Sequence, residues 1–196
     1  FTIGAAGSAL CQVGFFSIYF GLPLYMREVW SWSPLKIGFA LIPLNVVPLL
    51  TAAVAGKIVD RQGPRPMVIF GGVWSGVSFL IIGFFLMEAG YILFALGLLV
   101  SGLGAMAIGN NTTIATLLDI EDGLLASASS ASYTARRLGS ALGAVLTASI
   151  VGNRLGSDFK DVYIWVWILG AGAYLLGSLI TYLYYPRPNE QELSNV

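Results

Sequence analysis

Six long apolar stretches separated by short polar interruptions make up most of the chain: residues 3–26, 35–55, 67–87, 91–118, a stretch within 124–152, and 162–185. A hydrocarbon layer about 30 Å thick takes roughly 20 apolar helical residues to cross, and inside it every backbone N–H and C=O must be satisfied within the segment. The pattern therefore predicts an all-α membrane protein with six transmembrane helices. The bundle is expected over residues 1–185, and the polar run PRPNEQELSNV at 186–196 reads as a tail. The loops leave no room for a soluble domain.

Polar side chains cost free energy in hydrocarbon, so their distribution indicates which helices face something other than lipid. The first span carries Gln12 and Tyr19, and the second carries Asn45 between Pro43 and Pro48. The fourth carries Asn110, Asn111 and Thr113, and the fifth a Ser-rich run ending in Arg136 and Arg137. The third and sixth offer only hydroxyls and tryptophans. The order wet, wet, greasy, wet, wet, greasy predicts two three-helix repeats, each with two helices turned inward and one shown to lipid. Repeats of three spans are one way to build transporter halves. The alternative for each polar residue is a simple hydrogen bond to a neighbouring helix, worth about 0.6 kcal/mol.

Local signals support the cuts. Ser33 followed by Pro34 is an N-cap with a first-turn proline, and it starts the second span. Trp30 and Trp32 after the first span, and Tyr182, Tyr184 and Tyr185 after the sixth, are expected in the headgroup layer. Gly72 with Gly76, and Gly139 with Gly143, place small residues one turn apart, and these are read as helix-packing sites.

Composition narrows the chemistry. The apolar set makes up 57% of residues and charged residues 10%, too little charge to cover a water-soluble surface. There is no His and a single cysteine, Cys11, which excludes imidazole zinc sites, His-based nucleophile pairs, intramolecular disulfides and thiolate cages. Ten basic residues balance ten acidic ones, so nothing suggests a nucleic-acid surface. No metal, cofactor or enzymatic activity is expected. No basic leader precedes Arg27, and the chain opens without Met, so a piece of a longer polypeptide is expected.

Arg136 and Arg137 are the only charges well inside a helix. Counted from residue 124, Arg136 would lie about 18 Å along the helix, whereas counted back from residue 152 it would lie only about 5 Å deep, within reach of snorkelling. Both readings stay open. The spans contain no Asp or Glu, so a buried arginine would pair with a carboxylate of another domain, an anionic ligand, or the acidic loop of Asp119, Glu121 and Asp122.

Three motifs in order carry a resemblance. GKIVDRQGPRP (residues 56–66) resembles the loop signature between the second and third helices of a half in the major facilitator superfamily. SPLKIGFALIP (33–43) and ARRLGSALGAVL (135–146), with LPLYM (22–26) ahead of them, resemble the C-terminal six-helix half of its fourteen-span drug:proton antiporter branch. In that loop Gly56 would allow close helix approach, Asp60 would cap and charge-pair at the next helix start, and Gly63 with Pro64 would make the turn. Arg61 and Arg65 would bridge to acidic groups or helix C-termini of a neighbouring bundle as a conformational latch, or else only set topology. The branch pattern has asparagine where Tyr133 stands and glutamine where Arg137 stands, so drug specificity does not carry over.

The resemblance implies half of a secondary transporter, a multidrug-efflux type antiporter exporting small organic compounds by alternating access. Its partners would be the substrate, the lipid bilayer of the cell membrane, and a missing N-terminal six- or eight-helix portion of the same transporter. With no intramembrane carboxylate and no His, this half is expected to leave proton coupling to the other and not to transport alone. The expected ligand-facing residues are Gln12, Tyr19, Asn45, Asn110, Asn111, Thr113 and Arg136. The crowding of Lys57, Arg61 and Arg65 puts loop 56–66 and the C-terminus on the cytoplasmic side. The competing readings are a truncated membrane assembly or scaffold protein that moves nothing, and an intramembrane enzyme, for which the only open route, a Ser-Lys pair, lacks a lysine inside any span.

Overall fold

The computed structural model describes residues 1–87, 89–108, 111, 116–117, 120, 122–153 and 159–184, and every regular element among them is helical. The first span is α1 (Thr2–Glu28). The second is broken into α2 (Pro34–Ala40) and α3 (Ile42–Gln62). The third is α4 (Pro64–Ile81), which continues as a π turn, Ile82–Leu86. The remaining spans are α5 (Tyr91–Ile108), α6 (Leu125–Gly152), which follows a 3-10 turn at Asp122–Leu124, and α7 (Phe159–Tyr184).

Four stretches are long and apolar enough to cross a membrane: Thr2–Glu28, Pro34–Gln62, Pro64–Leu86 and Asp161–Tyr184. The described part of α5 is apolar but short, and α6 is 28 residues long with a polar first half. Residues at the far end of the fourth expected span, Asn110 and Thr113 among them, lie outside the described residues.

Sequence punctuation sets the helix ends. Ser33 accepts a hydrogen bond from the Lys36 N–H, and Pro34 fills the first turn of α2. Pro43 removes an N–H just inside α3, so the helix breaks at Leu41 rather than running straight through. Gly63 separates α3 from α4 at φ +75°, ψ 170°, a backbone region that only glycine enters cheaply. The π turn falls where Gly83 meets the Trp167 ring, at a distance that leaves no room for a Cβ.

The helices neighbour one another in the order α6, α1, α7, α4, α5, α3. Exchanging the first repeat (α1, α2/α3, α4) with the second (α5, α6, α7) returns the same order reversed. Two three-helix repeats thus build one unit in which α4 and α7 form the central pair, with one large core and a small second cluster of Ala55, Met67 and Ala107 among the described residues. Glycines make the central crossing close: a Cβ on Gly76 would meet Leu175 at 2.8 Å, and one on Gly72 would meet the Tyr174 carbonyl at 3.0 Å.

This arrangement corrects two expectations. The greasy helices α4 and α7 are packed on each other in the middle, and only their outer faces, Phe70, Val77 and Phe84 on one and Trp165, Leu176 and Leu179 on the other, are open. Of the wet helices, α3 and α5 also present apolar open faces, Leu49, Leu50 and Val54 and then Ile92, Leu96 and Val100. Trp30 and Trp32 do not lie loose in a headgroup layer. They pack into an aromatic cluster with Tyr25, Tyr91, Phe94 and Tyr163, and Lys36 lies 3.8 Å above the Trp32 ring. Tyr182 and Tyr184 are exposed at the end of α7.

Candidate functional site

Among the described residues, α1 and α6 make the closest backbone approach. Both helices run the same way, and a Cβ added to Gly139 would stand 2.3 Å from the Ala9 carbonyl oxygen, one on Gly143 2.5 Å from that of Val13. Ser17 donates to the Gly143 carbonyl at 3.2 Å, and Thr147 donates to the Ser17 carbonyl at 3.3 Å. Small residues and reciprocal hydroxyls therefore hold the two backbones together where lipid supplies no hydrophobic drive for association.

This approach turns Arg136 inward. Gln12 lies ten residues along α1, about 15 Å from its start. Its amide lies beside the guanidinium of Arg136, and oriented with its oxygen toward that group it accepts from Nε at 3.2 Å and from Nη2 at 3.1 Å. The pair lines a cavity of about 160 Å³ between α1, α5, α6 and α7, with Ser8, Cys11, Phe15, Phe16 and Tyr174 among its walls. Arg136 therefore turns toward α1 at the level of Gln12.

Arg137 takes the opposite course. It is exposed, donates from Nη2 to the Tyr133 hydroxyl, and lies 4.7 Å over the Tyr133 ring. The two departures from the antiporter motif, one turn apart, are thus partners of each other.

Among the described residues, Gln12 and Arg136 are the expected ligand-facing residues that line this cavity. Tyr19 continues the stripe along α1, stacked on Phe15 at 5.2 Å and open at the surface. Asn45 is on α3 and donates to its own helix at the Leu41 carbonyl, beside the proline break. Asn111 is buried and donates to Ala107, also within its own turn. Asn110 and Thr113 fall outside the described residues. Sequence reading passes over the cavity walls Ser8, Cys11, Phe15, Phe16 and Tyr174. The first four repeat at helical spacing with Gln12 and Tyr19, so the stripe is a signal that could have found them.

Loop 56–66 also departs from expectation. Gly56 is exposed, with no atom within 4 Å of where a Cβ would stand, so no described helix of this chain approaches it. Asp60 sits in the last turn of α3 and does not cap α4, whose N-cap is Gly63 without a side-chain bond. Arg61 is exposed in that same turn, where its charge suits the helix C-terminus. Arg65 Nη2 donates to the Tyr182 carbonyl at 2.8 Å, so it binds the C-terminal end of α7 in its own bundle, not a neighbouring one. That contact puts the loop and the end of α7 on one side of the unit.

Comparison with known proteins follows from this geometry. The sequence profile of the Major Facilitator Superfamily matches residues 4–195. The chain belongs to that superfamily. It is 25% identical over 160 residues to the tetracenomycin C resistance and export protein of Streptomyces glaucescens, covering 80% of this chain and 30% of that protein. It is 27% identical over 167 residues to a riboflavin transporter of Clostridioides difficile, covering 82% and 35%. It is 27% identical over 156 residues to citrate exporter 1 of Yarrowia lipolytica, covering 78% and 23%. The chain spans about a third or less of the length of these curated relatives. Superfamily membership makes it a multi-pass membrane protein of a transporter family.

Proposed function

We propose that the chain is one six-helix half of a secondary transporter that exports small organic compounds by alternating access, driven by the proton gradient. The observation that carries the reading is Gln12 beside Arg136 in a largely apolar cavity within a six-helix unit whose helix order is unchanged by exchange of its repeats. A guanidinium held inside hydrocarbon is expensive unless it serves a pathway or ligand, and such residues in membrane helices mark transport routes. The substrates in the relatives' names, an antibiotic, a vitamin and an organic acid, favour small organic cargo over ions.

Transport on this reading needs a further six- or eight-helix portion of the same transporter. The expected spans carry no Asp or Glu and the chain has no His, so on this reading the proton-carrying group belongs to that portion and the 196-residue chain alone moves nothing. Loop 56–66 and the C-terminus face the cytoplasm of a plasma or inner membrane, in keeping with Lys57, Arg61 and Arg65 clustered there. Arg65 on Tyr182 ties the third span to the sixth at this end.

The test is reconstitution. Vesicles holding the transporter with its upstream helices should show substrate movement that responds to an imposed pH gradient, and vesicles holding this chain alone should show none. Gradient-driven movement by the chain alone would overturn the division of labour, and its absence from the joined protein would overturn the transporter reading.

A further inference from the structure

Three tyrosines are fully buried among the described residues: Tyr25, Tyr163 and Tyr174. A buried phenol is costly unless its O–H finds an acceptor. Tyr25 donates to the Met87 carbonyl and Tyr163 to the Glu28 carboxylate. Tyr174, only 1% exposed, has no such partner among the described residues.

Tyr174 instead lines the cavity of about 160 Å³ between α1, α5, α6 and α7. Two contacts hold its ring in place. Phe79 stacks on it at 6.3 Å, and α1 comes so close at Gly14 that a Cβ there would stand 3.0 Å from Tyr174 Cδ2. A hydroxyl on so fixed and so buried a ring can bond only to what enters the cavity.

The rest of the wall is mostly apolar. Phe15 and Phe16 meet edge to face at 5.5 Å, and Ala105 and Ile108 close the α5 side. An apolar protein cavity of about 150 Å³ takes one benzene, so this volume suits a single ring. A carbonyl oxygen on that ring would accept from Tyr174 without bringing in a donor that itself needs a partner, as a hydroxyl would. Gln12 beside Arg136 forms the polar wall, and such a ligand leaves their contacts as they are.

We propose that the cavity binds an uncharged single-ring aromatic carbonyl compound, with its oxygen on the Tyr174 hydroxyl and its ring against Phe15 and Phe16. The inference rests on the transporter reading, whose cavity it shares, and names the chemical class of the cargo.

The experiment uses the full chain in lipid nanodiscs and two radiolabelled probes of one shape: acetophenone, and isopropenylbenzene, in which a methylene replaces the carbonyl oxygen. Equilibrium dialysis measures binding above that of protein-free nanodiscs, which removes partitioning into lipid. The wild type should hold acetophenone about fivefold more tightly than isopropenylbenzene, the worth of one net hydrogen bond. Tyr174→Phe removes only the hydroxyl, so it should erase this preference and leave isopropenylbenzene affinity unchanged. The carbonyl stretch of bound acetophenone should lie at lower frequency in the wild type than in Tyr174→Phe. A merely structural role for Tyr174 would move neither readout. Ala105→Phe fills the cavity and should block both probes.

No acetophenone bound above protein-free nanodiscs, the same preference in the wild type and Tyr174→Phe, or acetophenone binding that survives Ala105→Phe would each overturn the proposal. Gradient-driven export by the joined transporter with which acetophenone does not compete would overturn it while leaving the transporter reading intact. A joined transporter that binds acetophenone as described but moves nothing would overturn the transporter reading and leave the binding site standing.

Discussion

Replacing Gly139 by alanine tests the contact on which the site depends. The added Cβ would lie 2.3 Å from the Ala9 carbonyl oxygen, whereas ordinary contact begins near 3.4 Å. The obstacle is backbone, so no side chain can swing away, and α1 and α6 must part by about 1 Å. Overpacking of this kind costs about 1–3 kcal/mol. Separation also stretches the Ser17–Gly143 and Thr147–Ser17 hydrogen bonds, now 3.2 and 3.3 Å, which adds about 0.6 kcal/mol for each one lost. The expected loss is therefore about 2–4 kcal/mol in equilibrium unfolding by denaturing detergent in mixed micelles. Gly172→Ala is the control, because nothing lies within 4 Å of its Cβ position, and relief of the glycine helix penalty should leave it unchanged or more stable by up to about 1 kcal/mol. The same parting should carry Gln12 away from Arg136. If Gly139→Ala unfolds at the same detergent fraction as Gly172→Ala, the close α1–α6 approach is wrong and the cavity geometry falls with it.

Three further outcomes are expected. Gly63→Ala should destabilise by about 1–3 kcal/mol, and Gly63→Asn should do no better, because φ +75° with ψ 170° lies outside the left-handed helical region that asparagine tolerates; recovery in the Asn variant would refute this. Arg65→Ala should speed hydrogen exchange in the last turn of α7 about fivefold by removing a contact worth about 1 kcal/mol, with Arg65→Lys in between, and unchanged exchange would show that the 2.8 Å bond to Tyr182 holds nothing. Arg137→Gln should leave transport by the joined protein near wild type in reconstituted vesicles, since Arg137 turns outward onto Tyr133, whereas Arg136→Gln should lower it; an equal drop in both would place both guanidiniums in the site.

The spans are legible in the sequence because their signals are local. Apolar length, the Ser33–Pro34 start, the Gly63–Pro64 boundary and the paired glycines each act through neighbouring residues along one helix. The break at Leu41 is less so, although Pro43 stands in view, since hydropathy does not register a lost N–H. Partner identity is not legible. Gln12 and Arg136 are 124 positions apart, and only the packing of α1 on α6 decides that they meet while Asn45 and Asn111 bond back to their own turns. The loop signature alone points Arg65 outward, because it says nothing of where the sixth span ends. The central position of α4 and α7 escapes the sequence for a related reason: a helix poor in polar groups suits lipid and a membrane-protein core equally well.

The repeat divides scaffold from chemistry. Exchange of the two halves of the unit maps the α1–α6 contact onto the α5–α3 contact, and glycine makes both close: Gly139 and Gly143 against Ala9 and Val13 in one, Gly102 against Leu44, Val47 and Pro48 in the other. Glycine closes both contacts, but from α6 in the first and from α5, the counterpart of α1, in the second. The polar solution is used once among the described residues, since the first contact opens onto Gln12 and Arg136 whereas the second is packed with aliphatic side chains and proline. The two contacts are therefore not residue-for-residue equivalents, and the sequence has used the freedom between them to set a guanidinium and an amide at one end of the unit.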